Sequence, residues 1–180
     1  MRNMISVFVL VSGALLAQSG TNNSKTDNTK PGTTVLGSDI QASLKRAPAD
    51  GVQDESIKMI AIDKTHVGVG AVHRAAKGVN YAIIHDALTE VYHVLSGSGT
   101  LVTGGTVTKP ERFPADSKTV KELAGPSWRG TTIQGGTSRK IKAGDLVIIP
   151  AGTAHWWSQI DGVIDYEVIR VDPGGLLALK

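Results

Sequence analysis

The chain has 180 residues, 41% of them hydrophobic and 19% charged, with a formal net charge of +3, which places it among ordinary one-domain globular proteins. The charge is small and unclustered, and the nearest approach to a basic run, Ser138–Lys142, alternates as a strand would, so no nucleic-acid partner is expected. Aromatics make up only 4% and cysteine is absent, which leaves a core of Val, Ile, Leu and Ala with no disulfide and no lipoprotein anchor. At the N-terminus, Arg2 precedes an apolar stretch, Met4 to Ala17, with small residues at Ala17 and Ser19. This pattern predicts a signal peptide over residues 1–19, removed after Ala17 or Ser19. The stretch is short of the ~20 residues that span a bilayer. The expectation is therefore a periplasmic or secreted protein with no stable membrane insertion after processing. Residues 20–35 are Ser, Thr, Asn, Lys, Gly and Pro with little else, and read as a disordered linker.

Residues 36–180 are predicted to form the folded domain. Ser38 and Asp39 offer an N-cap to a short helix from Ile40 to about Arg46, whose Ile40 and Leu44 share one face, and Pro48 and Gly51 stop it. The pattern then changes to short strands separated by Gly, Asn, Asp or Pro. They are expected at about Ile57–Ile62, Val67–His73, Tyr81–Ile84, Glu90–Leu95, Thr100–Thr103, Thr131–Gln134, Arg139–Ile141, Asp145–Ile149, His155–Gln159 and Ile164–Val171. Many short strands with almost no helix between them predict an all-β, closed or double-sheet barrel. One segment, Gly97 to Gly144, is far longer than a hairpin needs and holds Pro110, Pro114 and a short helix at Asp116 to Leu123. Such segments are often lids, and Arg112, Phe113, Trp128 or Arg129 are candidates to cover a barrel mouth.

Two stretches carry the chemistry. In Gly144 to Gln159, an apolar β-branched run ends at Pro150 and Gly152, and His155 is the first large polar side chain beyond the corner. In Ile83 to Gly97, His85 and Glu90 lie on an apolar background closed by Gly97. The second stretch in the chain resembles the second motif of the cupin family at every position but the last, where Gln159 stands for Asn. The first resembles the family's first motif in its second His (His85), its Glu (Glu90) and its closing Gly (Gly97). It departs where Ile83 replaces the first His and where the leading Gly is at best Gly78, one residue out of step. The resemblance spans about Gly78 to Gln159. It implies an all-β cupin double-stranded β-helix, or jelly-roll, barrel with the short helix at its N-terminal side, and a homodimer formed by strand or sheet pairing.

The resemblance also implies His85, Glu90 and His155 as ligands of a divalent transition metal: Fe, Mn, Zn, Cu or Ni. Two imidazoles and one carboxylate suit these ions and leave coordination positions open. Loss of a His at Ile83 opens one more. His73 shares strand parity with Val67, Val69 and Ala71 and becomes a further candidate ligand if that row faces inward. His93 lies three residues after Glu90 and points to the other face, and His66 sits at a strand edge. Tyr92 shares parity with Glu90 and is the candidate catalytic hydroxyl. Ile83, Val94, Trp157 and Arg170, with Ile148, are expected to line a mostly apolar pocket for a small organic molecule. Trp156 alternates outward or to a subunit contact. The function implied is a metal-binding, dioxygenase-like oxidoreductase. A metal-assisted sugar isomerase or epimerase, which inward basic residues would favour, and a non-enzymatic periplasmic binding module remain alternatives.

Overall fold

The computed structural model describes residues 31–180, so the expected export segment and most of the linker lie outside the described residues. Among the described residues the first regular element is α1, Gly37–Arg46, which begins before the expected Ser38/Asp39 cap: Leu36 occupies the N-cap and no side chain caps the helix. Asp39 in the first turn and Lys45 and Arg46 in the last suit the helix dipole. One face carries Ile40 and Ser43 inward.

Eleven strands follow: β1 Val52–Ile62, β2 Thr65–Ala75, β3 Ala82–His85, β4 Thr89–Thr103, β5 Thr106–Val107, β6 Glu111–Arg112, β7 Ser127–Gly130, β8 Ile133–Gln134, β9 Thr137–Lys142, β10 Leu146–Ile149 and β11 His155–Asp172. The helix is tied to β1 by Ser43, which donates to Glu55 at 2.6 Å, by Arg46, which donates to the same oxygen at 2.9 Å, and by Gln53, which donates to the Ser43 carbonyl at 2.9 Å.

The gaps expected between Leu95 and Thr100 and between Gln159 and Ile164 bend strands and do not end them. β4 therefore joins two expected strands, and so does β11, and the two pair antiparallel along most of their lengths. Their register shifts between Trp157 and Gln159 and between Ile160 and Ile164, which are the bulges that let one strand pass from one sheet to the other. Gly97 sits at this corner with φ 74°, and a Cβ there would lie 1.9 Å from the Val163 carbonyl oxygen. Only glycine fits.

The first half of β4 and the second half of β11 sit in one sheet, ordered β1-β2-β11-β4-β10. Their other halves form a second sheet with β9 on one side and β3, β7 and β6 on the other. β5 and β8 form a separate two-stranded ribbon. The result is the all-β, cupin-like jelly-roll expected from the strand pattern, with α1 packed against β1 and β2. Between the sheets lies a core that includes Val72, Val94, Leu101, Ile149, Trp157 and Tyr166. Burying each such side chain contributes on the order of 1.5–3 kcal/mol.

Three expectations are corrected here. Ile148 is 69% exposed, because the continuous apolar run of β10 turns Val147 and Ile149 inward and leaves Leu146 and Ile148 outside. A run without alternation carries no signal of which face is buried. Trp157 and Val94 belong to the packed core and do not line the cavity described below. The long Gly97–Gly144 segment holds the end of β4 and all of β5 to β9, and its helical element is a single π-turn, Val120–Ala124. There Arg112 stacks over Trp128 and Arg129 over Phe113, so these four side chains pair with one another. The cavity is walled instead by Thr119, Leu123 and Ala124.

Candidate metal centre

His85, Glu90 and His155 converge from three strands. Glu90 lies on the inward row of β4, His85 ends β3 and His155 opens β11. The Pro150–Gly152 turn joins the two histidine-bearing stretches directly: Gly152, at φ 77°, donates its N–H to the His85 carbonyl at 2.7 Å. Ile83 and His155 are Cα partners across β3 and β11. The three side chains are buried, with exposures of 5%, 2% and 3%, and one ligand atom from each falls within 4.8 Å of the others.

Hydrogen bonds fix which nitrogen of each ring faces the carboxylate. His155 Nδ1 donates to the Thr153 carbonyl at 3.1 Å. His85 Nδ1 faces the Ala124 carbonyl at 3.1 Å and Ser127 Oγ at 2.9 Å, while Ser127 itself donates to the carbonyls of Ala124 and Gly125. A carbonyl can only accept, so both rings carry a proton on Nδ1, and in the neutral form both Nε2 atoms present lone pairs. Those atoms stand 3.3 and 3.5 Å from the same oxygen of Glu90, and the buried His155 Nε2 has no hydrogen-bond partner. Three electron-rich atoms facing one point are repulsive unless a cation lies among them, and a divalent ion satisfies all three at once. The donor set therefore fits the metal that the resemblance implies.

The carboxylate is held from behind. Glu90 and Arg170 are Cα partners across β4 and β11, and Arg170 Nε donates to Glu90 Oε1 at 3.0 Å while its Nη2 donates to Asp54 at 2.6 Å. Tyr92 donates its hydroxyl to Glu90 Oε2 at 2.9 Å. Burial pushes the Glu90 carboxyl up, but the neighbouring histidines, His85 foremost, and the Arg170 charge outweigh it and hold the group well below the ordinary carboxylate range. Burial and the Glu90 charge push the Tyr92 phenol far up, so it stays protonated and acts as a donor.

A cavity of about 190 Å³ opens on this cluster, with room for on the order of six waters. Ile83, Tyr92 and Arg170 line it with the three candidate ligands. The pocket is not mostly apolar: Asp54, Arg74 and Tyr166 line it too. Arg74 donates through Nε to the Tyr166 hydroxyl at 3.0 Å, and burial raises the Tyr166 phenol so that it too stays protonated.

His73 lies outside the cluster. Val72 and Arg74 line the cavity, so the even-numbered row of β2 faces in and His73 faces out, where its Nδ1 pairs with Asp165 at 2.7 Å. His93 pairs with Glu167 at 2.8 Å on the outer face, and His66 faces the Leu177 carbonyl. Trp156 is half-buried against the cluster of Ala82, Val107 and Ala154. Sequence reasoning missed Asp54, Arg74, Ser127 and Tyr166. Arg74 lay one position past the expected end of its strand, and Tyr166 shared the parity of Arg170 within its own.

No family model and no curated protein matches this chain. Solved structures do resemble it in fold. The DMSP lyase DddQ from Ruegeria pomeroyi is 18% identical over 73% of this chain and 52% of its own, with a TM-score of 0.42. An oxalate oxidase in complex with the substrate analogue glycolate is 19% identical over 72% of this chain and 57% of its own, at 0.43. The EutQ protein of Clostridium difficile is 11% identical over 68% of each chain, at 0.39. This chain spans about half the length of the first two.

Proposed function

We propose that the protein is a mononuclear metalloprotein of oxidoreductase type, dioxygenase-like, acting on a small organic molecule in the cavity beside His85, Glu90 and His155. The observation that supports this reading best is the pair of Nε2 lone pairs facing Glu90, one of them buried without a partner. A bound Fe, Mn, Zn, Cu or Ni ion would supply Lewis acidity and, for a redox-active metal, electrons for O2 chemistry at positions the protein leaves open. The chain's own residues supply the rest. Ser127 and the Ala124 and Thr153 carbonyls keep the rings oriented, Arg170 helps keep Glu90 ionised, and Tyr92 holds its phenol proton on Glu90 at the cavity wall.

The test is reconstitution. Protein loaded with Fe(II) is expected to take up one ion per chain, to give an altered spectrum with nitric oxide and to consume O2 with a member of a small-acid and phenol panel. His155→Ala and His85→Ala are expected to lose the metal, and His93→Ala to keep it. Metal retained by the His155 variant would sink the site. Stoichiometric metal with neither a nitric oxide adduct nor O2 uptake would leave a binding module.

A second reading, a metal-assisted sugar isomerase, draws on the inward arginines Arg74 and Arg170, and turnover without O2 would favour it. The homodimer and the export of the chain belong to the same proposal. Leu146 and Ile148, exposed side by side on β10, offer an apolar face for a second copy. Sedimentation of Ile148→Asp and N-terminal sequencing of the native protein test the two.

A further inference from the structure

Of the two guanidinium groups in the cavity, one is fully engaged and one is not. Arg170 is shared between Glu90 and Asp54. Arg74 is half-buried, lines the same cavity and uses only Nε, on Tyr166. Among the described residues neither of its terminal nitrogens has an acceptor, and no carboxylate forms an ion pair with it. Two N–H donors of a residue that lines the same cavity as the His/Glu cluster are thus left free. That fork matches the spacing and planarity of a carboxylate better than any neutral group.

The charges point the same way. Within the cavity wall Asp54 and Glu90 offset Arg74 and Arg170, so the protein alone is balanced. A divalent cation at the histidines adds two positive charges that no described side chain neutralises, and an anionic ligand would do so. The orientation of Arg74 is fixed before any ligand arrives, because the Tyr166 hydroxyl holds Nε and the Tyr166 ring packs on Tyr92 with centroids 4.5 Å apart. A volume of about 190 Å³ suits a small acid.

We infer that Arg74 is the anchor for the substrate's carboxylate: the cavity takes a small carboxylic acid whose carboxylate sits on the free edge of the Arg74 guanidinium while a second oxygen function faces His85, Glu90 and His155. This rests on the metal-centre reading for the second half of the contact, and not for the first.

Malonate and its neutral isostere malonamide separate the two halves. Calorimetric titration is made into metal-free and zinc-loaded wild type, Arg74→Met, Arg74→Lys and Tyr166→Phe. Wild type is expected to bind malonate at least ten-fold tighter than malonamide in both states, since charge-assisted paired hydrogen bonds of this kind are worth roughly ten- to hundred-fold in affinity. Arg74→Met is expected to remove the preference, Arg74→Lys to keep part of it, and Tyr166→Phe to weaken it several-fold by releasing the guanidinium. Should Arg74→Met fail to fold, the wild-type preference and its weakening in Tyr166→Phe decide. Equal affinity for malonate and malonamide, or an undiminished preference in folded Arg74→Met, would overturn the inference. Inorganic phosphate competing more tightly than malonate would overturn it in favour of a phosphate site. Arg74-dependent malonate binding in a protein that takes up no zinc would uphold the anchor and remove the metal reading, and zinc uptake without malonate preference would do the reverse.

Discussion

Replacing Arg170 with Met tests whether the second layer of the site holds the structure together as well as the carboxylate. Arg170 is 3% exposed and donates two charge-assisted hydrogen bonds, at 3.0 Å to Glu90 and 2.6 Å to Asp54. Each such bond is worth about 1.5–3 kcal/mol. Met keeps most of the volume, so the change removes the charge without opening a large void, and it leaves Glu90 as a buried anion with no guanidinium. Breaking a buried pair from one side costs about 3–5 kcal/mol. For a domain of this size that lowers Tm by about 10 °C. The pH dependence follows from Glu90. Its folded pKa is depressed, so the stability it contributes is present above the unfolded value of about 4.3 and is lost as pH falls through the folded value. The gap between wild type and Arg170→Met is therefore widest near neutrality and narrows below about pH 4. Urea melts of metal-free protein at pH 7 and pH 3.5 measure both. Adding zinc at pH 7 is expected to recover part of the loss, because the ion replaces the missing positive charge beside Glu90. A loss under about 1 kcal/mol at pH 7, or a gap that grows in acid, would refute the account.

Gly97→Ala combines a left-handed backbone with a Cβ driven onto the Val163 carbonyl, and is expected to cost about 3 kcal/mol or more in a denaturant melt. Ile83→His places an imidazole beside His155 across β3 and β11, on a residue that lines the cavity, and is expected to tighten zinc binding at least ten-fold in a competition titration with a chelator. Ser127→Ala removes one of the two partners of His85 Nδ1 and is expected to weaken zinc roughly ten-fold, with the fold intact by circular dichroism. Ser43→Ala unfastens α1 from Glu55, whose pKa that hydrogen bond chiefly lowers. The expected loss is about 1 kcal/mol above the ordinary carboxylate pKa, fading as pH falls below it, by thermal melts across pH.

How far the site could be read from the chain depended on the type of strand. His85, Glu90, His155 and Gly97 stand at fixed offsets around turns, where Pro150 and Gly152 leave one local geometry, and these residues were legible. The inward row of β2 was not. Its outward row, Val67, Val69 and Ala71, is the more apolar one, while the inward row runs Gly68, Gly70, Val72, Arg74. The glycines are there because the space is already filled: a Cβ on Gly70 would lie 3.1 Å from Arg170, and one on Gly68 would meet Met59 at 2.5 Å. Hydrophobic alternation pointed to the wrong face and brought in His73 in place of Arg74. Ser127 could not be found at all, since its role comes from a pairing of β3 with β7 that bridges a long insertion.

The exchange of β4 and β11 between the two sheets bears on how the protein would take up a metal. Glu90, Tyr92, His155 and Arg170 all sit on these two strands, and the bond that aligns them joins residues 80 positions apart. Closing so long a loop is slow compared with forming the local β1–β2 hairpin, and β11 follows β1 to β10 in chain order. Because β11 lies between β2 and β4, the coordinating groups meet in the same late step that joins the sheets. An ion arriving later stabilises the finished molecule without templating its assembly, and its kinetic signature is slower unfolding at an unchanged folding rate.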